Sequence, residues 1–147
     1  VQIMSGNDLT PSDFDFWTTI RTRWRDMDSL NHINHASYLT YMETARVELY
    51  TKLGFSGINK EMEESTILGS MEVHYLYQAT HPTKFDVGHR FIRTGQKSYD
   101  LLSALFKSND KKLVCHALFK LVSFNYKDNK TIEVPKIIRE NCRPLNL

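Results

Sequence analysis

The chain has 147 residues, 41% of them hydrophobic, a formal net charge of +2 and two cysteines. That length suits one domain with a sizeable core, and no apolar run approaches the roughly 20 residues needed to cross a bilayer. Ordinary composition argues against a disordered chain, and Cys115 with Cys142 cannot build a disulfide framework.

Residues 1–13 read as a flexible tail and 14–147 as a single domain. The tail lacks the basic and apolar regions of a secretion signal, so the reducing cytoplasm is the expected location. Residues 15–24, "DFWTTIRTRW", alternate Phe16, Thr18, Ile20, Thr22 and Trp24 against Trp17, Thr19, Arg21 and Arg23, which predicts a strand. A polar decapeptide follows, "DMDSLNHINH" at 26–35, with two carboxylates, two imidazoles and two amides. Residues 36–53 then place Tyr38, Tyr41, Met42, Ala45, Leu49 and Leu53 at helical spacing, with Gly54 as the stop. Such a helix is about 27 Å long at 1.5 Å per residue. Leu39, Val47 and Tyr50 widen its apolar surface, so other elements should wrap it.

Residues 54–65 read as a loop carrying one helical turn. Four alternating segments follow at 70–79, 84–93, 98–107 and 112–125, joined by the turn-like links "THPT", "TGQK" and "SNDK". Short links make antiparallel neighbours. "VPKIIREN" reads as a last helical turn from Pro135. The expected architecture is α+β, a five-stranded antiparallel sheet around one long helix. Trp17, Leu76, Leu102 and Phe106 fall on the outer face and point to dimerisation through a sheet face or edge.

Charge is divided along the chain. Residues 1–73 hold 6 Lys/Arg against 11 Asp/Glu, and residues 74–147 hold 13 against 6. The basic half would attract a polyanionic ligand. It has no basic stripe interleaved with aromatics, so a nucleic-acid partner is not expected, and neither is a membrane partner.

The decapeptide ends a strand and enters a helix N-terminus near His35 and Ala36. Free backbone N–H groups and the helix dipole make that end positive. A carbonyl docked there is polarised, and an oxyanion forming from it is stabilised. Asp28, seven residues upstream of His35, supplies a nucleophile or general base in the same segment. Asn31 suits a left-handed turn between them. Asp26 reads as structural and His32 as fixing the turn. A metal site built from Asp26, Asp28, His32 and His35 is the weaker reading, and no cofactor is expected. Cys115 beside His116 is a poor nucleophile pair, because neighbours on a strand face opposite ways. His74, His81, His89 and His116 read as structural.

Residues 23–46, "RWRDMDSLNHINHASYLTYMETAR", resemble the signature of the hotdog-fold acyl-CoA thioesterases, the 4-hydroxybenzoyl-CoA thioesterase superfamily. The match rests on Asp26, Asp28, His32, Asn34, Tyr38, Glu43, Ala45 and Arg46, and "RTGQKSYDL" at 93–101 resembles a later strand pair of that family. The resemblance implies a hotdog domain and hydrolysis of acyl-CoA to a carboxylic acid and free CoA. It implies a homodimer with sites at the interface, and often a tetramer of two dimers. Asp28 stands at the family's catalytic aspartate and His35 at a histidine used by one branch. Asn34 helps position the reactants. Glu43 stands where another branch carries a catalytic glutamate on the helix. His32, Ala36 and Tyr38 are the expected substrate contacts, with Arg90, Arg93, Lys97 and Ser98 toward the CoA phosphates. Two other readings remain open, a binding module that holds acyl-CoA without turnover and a thioesterase acting on an acyl carrier protein.

Overall fold

The computed structural model describes residues 9–55 and 63–145. Strand β1 (Phe16–Arg21) passes through a 3-10 turn, Trp24–Asp26, and the decapeptide into helix α1 (His35–Lys52). Then come β2 (Ser65–Tyr75), β3 (Lys84–Thr94), β4 (Ser98–Lys107), β5 (Leu113–Asn125), the short β6 (Lys130–Thr131) and α2 (Lys136–Glu140). The sheet is antiparallel in the order β1-β3-β4-β5-β2, with β6 on β5. Strands β1 and β2 are therefore its two edges, and α1 crosses the inner face between them. This is the α+β hotdog arrangement, a curled antiparallel sheet around one long helix.

The helix is held by its buried stripe. Tyr38, Tyr41, Met42, Ala45 and Leu49 pack on Phe85, Val87, Phe91, Leu101 and Leu105 of β3 and β4. A fully buried side chain of this kind contributes about 2 kcal/mol, so packing decides the helix more than propensity does. Tyr50 is buried as well, its hydroxyl 2.6 Å from that of Tyr99.

Several boundaries differ from the sequence reading. Strand β2 begins at Ser65, inside the expected loop, and ends at Tyr75 rather than 79. A bulge between Leu68 and Ser70 shifts the pleat, so the alternation read from Met71 onward does not continue backward in phase. Residues 56–62 of the expected loop lie outside the described residues. Strand β6 is a sixth strand, too short at two residues to show a period. Residues 1–8 of the expected flexible tail are likewise outside the described residues, but Pro11–Asp13 form a 3-10 turn capped by Thr10.

The outer face is partly covered by the chain itself. Phe14 packs edge-on against Phe106 at 5.7 Å and Trp17 at 6.0 Å, and Leu102 and Phe106 are buried beneath it. Gly88 makes this possible, since a Cβ there would lie 2.8 Å from Phe14 Cγ. Leu76 is also buried. Of the residues expected to form a dimerising outer face, Leu76, Leu102 and Phe106 are thus buried within a single chain and Trp17 is half-buried. Among the described residues, three of the exposed large apolar side chains, Ile67, Leu68 and Met71, lie on the edge strand β2 instead. No helix of the described residues is long and apolar enough to cross a membrane.

Arg90 ties this cover down. It is 4% exposed, and its guanidinium donates to the carbonyls of Arg143 (2.7 Å), Pro144 (2.7 Å) and Asp13 (3.2 Å). The expected role of Arg90 toward CoA phosphates is therefore corrected, because the side chain is enclosed and all its partners are main-chain oxygens. Replacing Arg90 by Leu strands three carbonyls and is expected to cost about 3 kcal/mol. Thermal unfolding should then come about 10 °C earlier, with faster proteolysis near both ends. A melting temperature within about 2 °C of wild type would refute this.

Candidate active site

The segment between β1 and α1 is pinned before it reaches the helix. Asp26 is buried and central to this. Its carboxylate accepts the Tyr41 hydroxyl at 2.5 Å, the Arg23 N–H at 2.8 Å and the Arg23 guanidinium at 3.1 Å. Burial alone would raise its pKa, but the hydrogen bonds from Tyr41 and Arg23 outweigh that and hold it below the usual carboxylate range. The Asp26 carbonyl accepts the Asn34 N–H at 2.9 Å and the Ser37 hydroxyl at 3.4 Å. One residue thus fixes the exit of the strand against the first turn of α1. Sequence reading gave Asp26 a structural role but supplied no sign of Tyr41 as its partner.

Asp28 follows on a tight exposed turn. Its Oδ1 accepts the Leu30 N–H at 2.9 Å, its own N–H donates to the His32 carbonyl at 2.9 Å, and its carbonyl accepts the Asn31 N–H at 3.0 Å. Asn31 takes a φ of 60°, the left-handed geometry expected for it. One oxygen of Asp28 is thereby held, and Oδ2 has no partner among the described residues.

The helix start is more fully used than the sequence suggests. Asn34 is the N-cap. Its side chain accepts the Ala36 N–H at 2.8 Å, and its carbonyl accepts the Ser37 N–H at 2.9 Å. Of the amides at 35–37, the His35 N–H is the one without an acceptor among the described residues. Asn34 thus works first as a cap. The His35 ring is exposed, edge-on to Tyr75 at 6.4 Å, and its carbonyl accepts the Tyr75 hydroxyl at 2.9 Å. His32 is half-buried and Ala36 exposed.

Other expected site residues lie elsewhere. Tyr38 is core, enclosed by Tyr41, Tyr75 and Phe85 with its pKa pushed up by burial, so its expected substrate contact is corrected. Glu43 is exposed on α1, about 12 Å along the axis from His35 at 1.5 Å per residue. It does not pair with Arg46, whose guanidinium lies 4.8 Å above the Phe119 ring. Arg93 is turned to the outer face by a bulge and forms a two-pronged pair with Asp100 at 2.8 and 2.9 Å, also donating to Ser98 Oγ at 3.1 Å. Arg93 and Ser98 therefore serve each other. Lys97 is exposed beside Thr131. Asp26 points inward to Tyr41 and Arg23, so it does not join Asp28, His32 and His35 as a ligand set, and among the described residues no such group is arranged for a metal. Cys115 is buried, with its thiol pushed up to about 12, and His116 stacks on His74 at 4.8 Å.

The ten residues from Asp26 to His35 thus carry a carboxylate with one oxygen unpartnered among the described residues, a polar turn and a helix N-terminus whose His35 N–H has no acceptor among them. Acyl transfer draws on groups of these kinds. The family comparison agrees: residues 22–142 match the model of the thioesterase-like superfamily, and the chain belongs to it. It is a thioester hydrolase of the hotdog fold. Among solved structures, the PA2801 protein of Pseudomonas aeruginosa, a candidate thioesterase, is 30% identical with a TM-score of 0.76, covering 84% of this chain and 95% of that one. The PA5185 protein of the same species has a TM-score of 0.80 at 22% identity, covering 88% and 90%. The DHNA-CoA thioesterase of Staphylococcus aureus has a TM-score of 0.71 at 22% identity, covering 80% and 78%. A search of curated proteins returned no match.

Proposed function

We propose that the chain hydrolyses an acyl-CoA thioester to a carboxylic acid and free CoA, with Asp28 as the reacting carboxylate. The observation that carries this is the half-held Asp28 beside the start of α1. The Leu30 N–H orients one oxygen, and the other is available to a substrate. The thioester carbonyl docks at the helix N-terminus, where the His35 N–H and the dipole stabilise charge developing on oxygen. Asp28 then attacks the carbonyl carbon and the resulting anhydride is opened by water, or it takes a proton from an attacking water. The CoA thiolate leaves and is protonated by solvent or by His35. Asn34 positions this machinery as the cap, and Glu43 is the alternative carboxylate.

The assembly we infer is a homodimer joined along β2. Among the described residues this edge pairs with β5 alone, and Ile67, Leu68 and Met71 on it are exposed.

The test is release of free thiol from a panel of short, long and aromatic acyl-CoAs. Denatured protein serves as blank, because Cys115 and Cys142 react with thiol reagents. Release above the blank for at least one ester is expected. Silence across the whole panel would defeat the proposal.

A further inference from the structure

We infer that Tyr75 is a positioning residue for the hydrolysis proposed above: its hydroxyl fixes the first turn of α1, and with it the His35 N–H, against the sheet. This rests on the acyl-CoA reading and adds to it the group that aims the oxyanion donor. Tyr75 is the last residue of β2 and stands opposite Cys115 of β5. Its half-buried ring borders the core and packs edge-on to Tyr38 at 5.6 Å. The hydroxyl at its tip donates to the His35 carbonyl at 2.9 Å, and the Tyr75 and His35 rings stand edge-on at 6.4 Å. His35 is the first residue of α1. A carbonyl oxygen has two lone pairs, so it can take this bond beside its helical one.

Among the described residues, the other hydrogen bonds that hold residues 35–37 come from the segment that carries Asp28 or from within the helix. Asn34 accepts the Ala36 and Ser37 N–H groups at 2.8 and 2.9 Å, and the Ser37 hydroxyl donates to the Asp26 carbonyl at 3.4 Å. Tyr75 supplies the bond from the sheet. Two residues before the helix, the Ile33 N–H donates to the Ala79 carbonyl on the β2–β3 connection at 2.8 Å. One point of attachment lets the turn pivot, and the second, at Tyr75, fixes its direction. Direction matters because an oxyanion donor acts only as far as it is already aimed when charge develops. Burial, with a smaller push from Cys115, lifts the Tyr75 pKa above the ordinary tyrosine value, so the hydroxyl stays a donor at neutral pH. Its proton is spent on the His35 carbonyl, so its part is aim rather than proton transfer.

The experiment compares the full-length wild type, Tyr75→Phe and Tyr75→Leu. Phenylalanine keeps the ring and removes the hydroxyl. Thiol release from the best acyl-CoA of the panel should show kcat lowered about tenfold in Tyr75→Phe with KM within about twofold, since a misaimed donor costs the transition state alone. The pH profile of kcat should keep its shape, and loss of one limb would make Tyr75 a proton carrier and overturn the assignment. Melting should stay within about 4 °C of wild type, the shift of one net hydrogen bond in a chain of this size. A role in packing alone predicts a fully active Tyr75→Phe and a loss only in Tyr75→Leu, and that result, or a raised KM at unchanged kcat, would also overturn it. The hold itself is read without turnover, by NMR relaxation of the backbone amides: the His35 order parameter should fall from about 0.85 in wild type to about 0.6 in Tyr75→Phe. Equal order parameters would overturn the assignment. A wild type that releases no thiol defeats the hydrolysis reading and this role with it, whereas an active wild type matched by Tyr75→Phe defeats this role alone.

Discussion

Asp28→Asn is expected to lower kcat for thioester hydrolysis about a thousandfold while KM changes little, the range a positioned base or nucleophile commands. The substitution is a clean one here. Asp28 holds its turn through Oδ1, which accepts the Leu30 N–H at 2.9 Å, and an asparagine oxygen accepts the same bond. The turn, the left-handed Asn31 and the helix cap all survive the change, so lost activity reports the missing charge rather than a collapsed loop. Steady-state thiol release from the best acyl-CoA of the panel reads the effect. A variant as active as wild type would move the chemistry to Glu43, and Glu43→Gln would then carry the loss.

The second large effect concerns stability and pH. His89 lies fully buried under α1, its Nδ1 2.7 Å from Ser103 Oγ. Burial, with a smaller push from Arg46, lowers its pKa to about 3. In the unfolded chain a histidine titrates near 6.5. Above that pH both states are neutral and the group has no effect. Below it the unfolded chain takes up a proton that the folded one refuses, so stability falls by about 1.4 kcal/mol per pH unit until about pH 3. Between pH 7 and pH 5 the loss from His89 is about 2 kcal/mol. Burial also lowers the His116 pKa and adds a loss of the same sign. Urea unfolding of wild type and His89→Gln at both pH values isolates the His89 share, because the variant lacks that slope whatever its absolute stability. Coincident slopes would remove His89 as the cause.

Much of this architecture is written in local periodicity. Helix α1 was expected at 36–53 and spans His35–Lys52, and β4 matches residue for residue, because burial on one face leaves a regular trace. The first half of β2 left none, since its bulge breaks the alternation. The site divides in the same way. The turn chemistry of Asp28, Asn31 and Asn34 is local, so the sequence exposes it. Arg90 could not be placed, because its acceptors lie 53, 54 and 77 residues away and are main-chain atoms of no particular residue type. Arg93 looked like a free strand cation because a one-residue bulge, which sends it to Asp100, has no sequence mark.

The single guanidinium shared by Asp13 and Pro144 has an engineering consequence. Their carbonyls sit on one planar group at 3.2 and 2.7 Å, so the two ends of the folded domain are neighbours on the back of the sheet. A short linker can join them, and new ends can be opened at the exposed turn around Asn109 and Asp110. Such a circular permutant leaves the segment from Arg23 to Lys52 uninterrupted. A form tethered through a side chain next to Asp13 or Pro144 would turn the back of its sheet to the support.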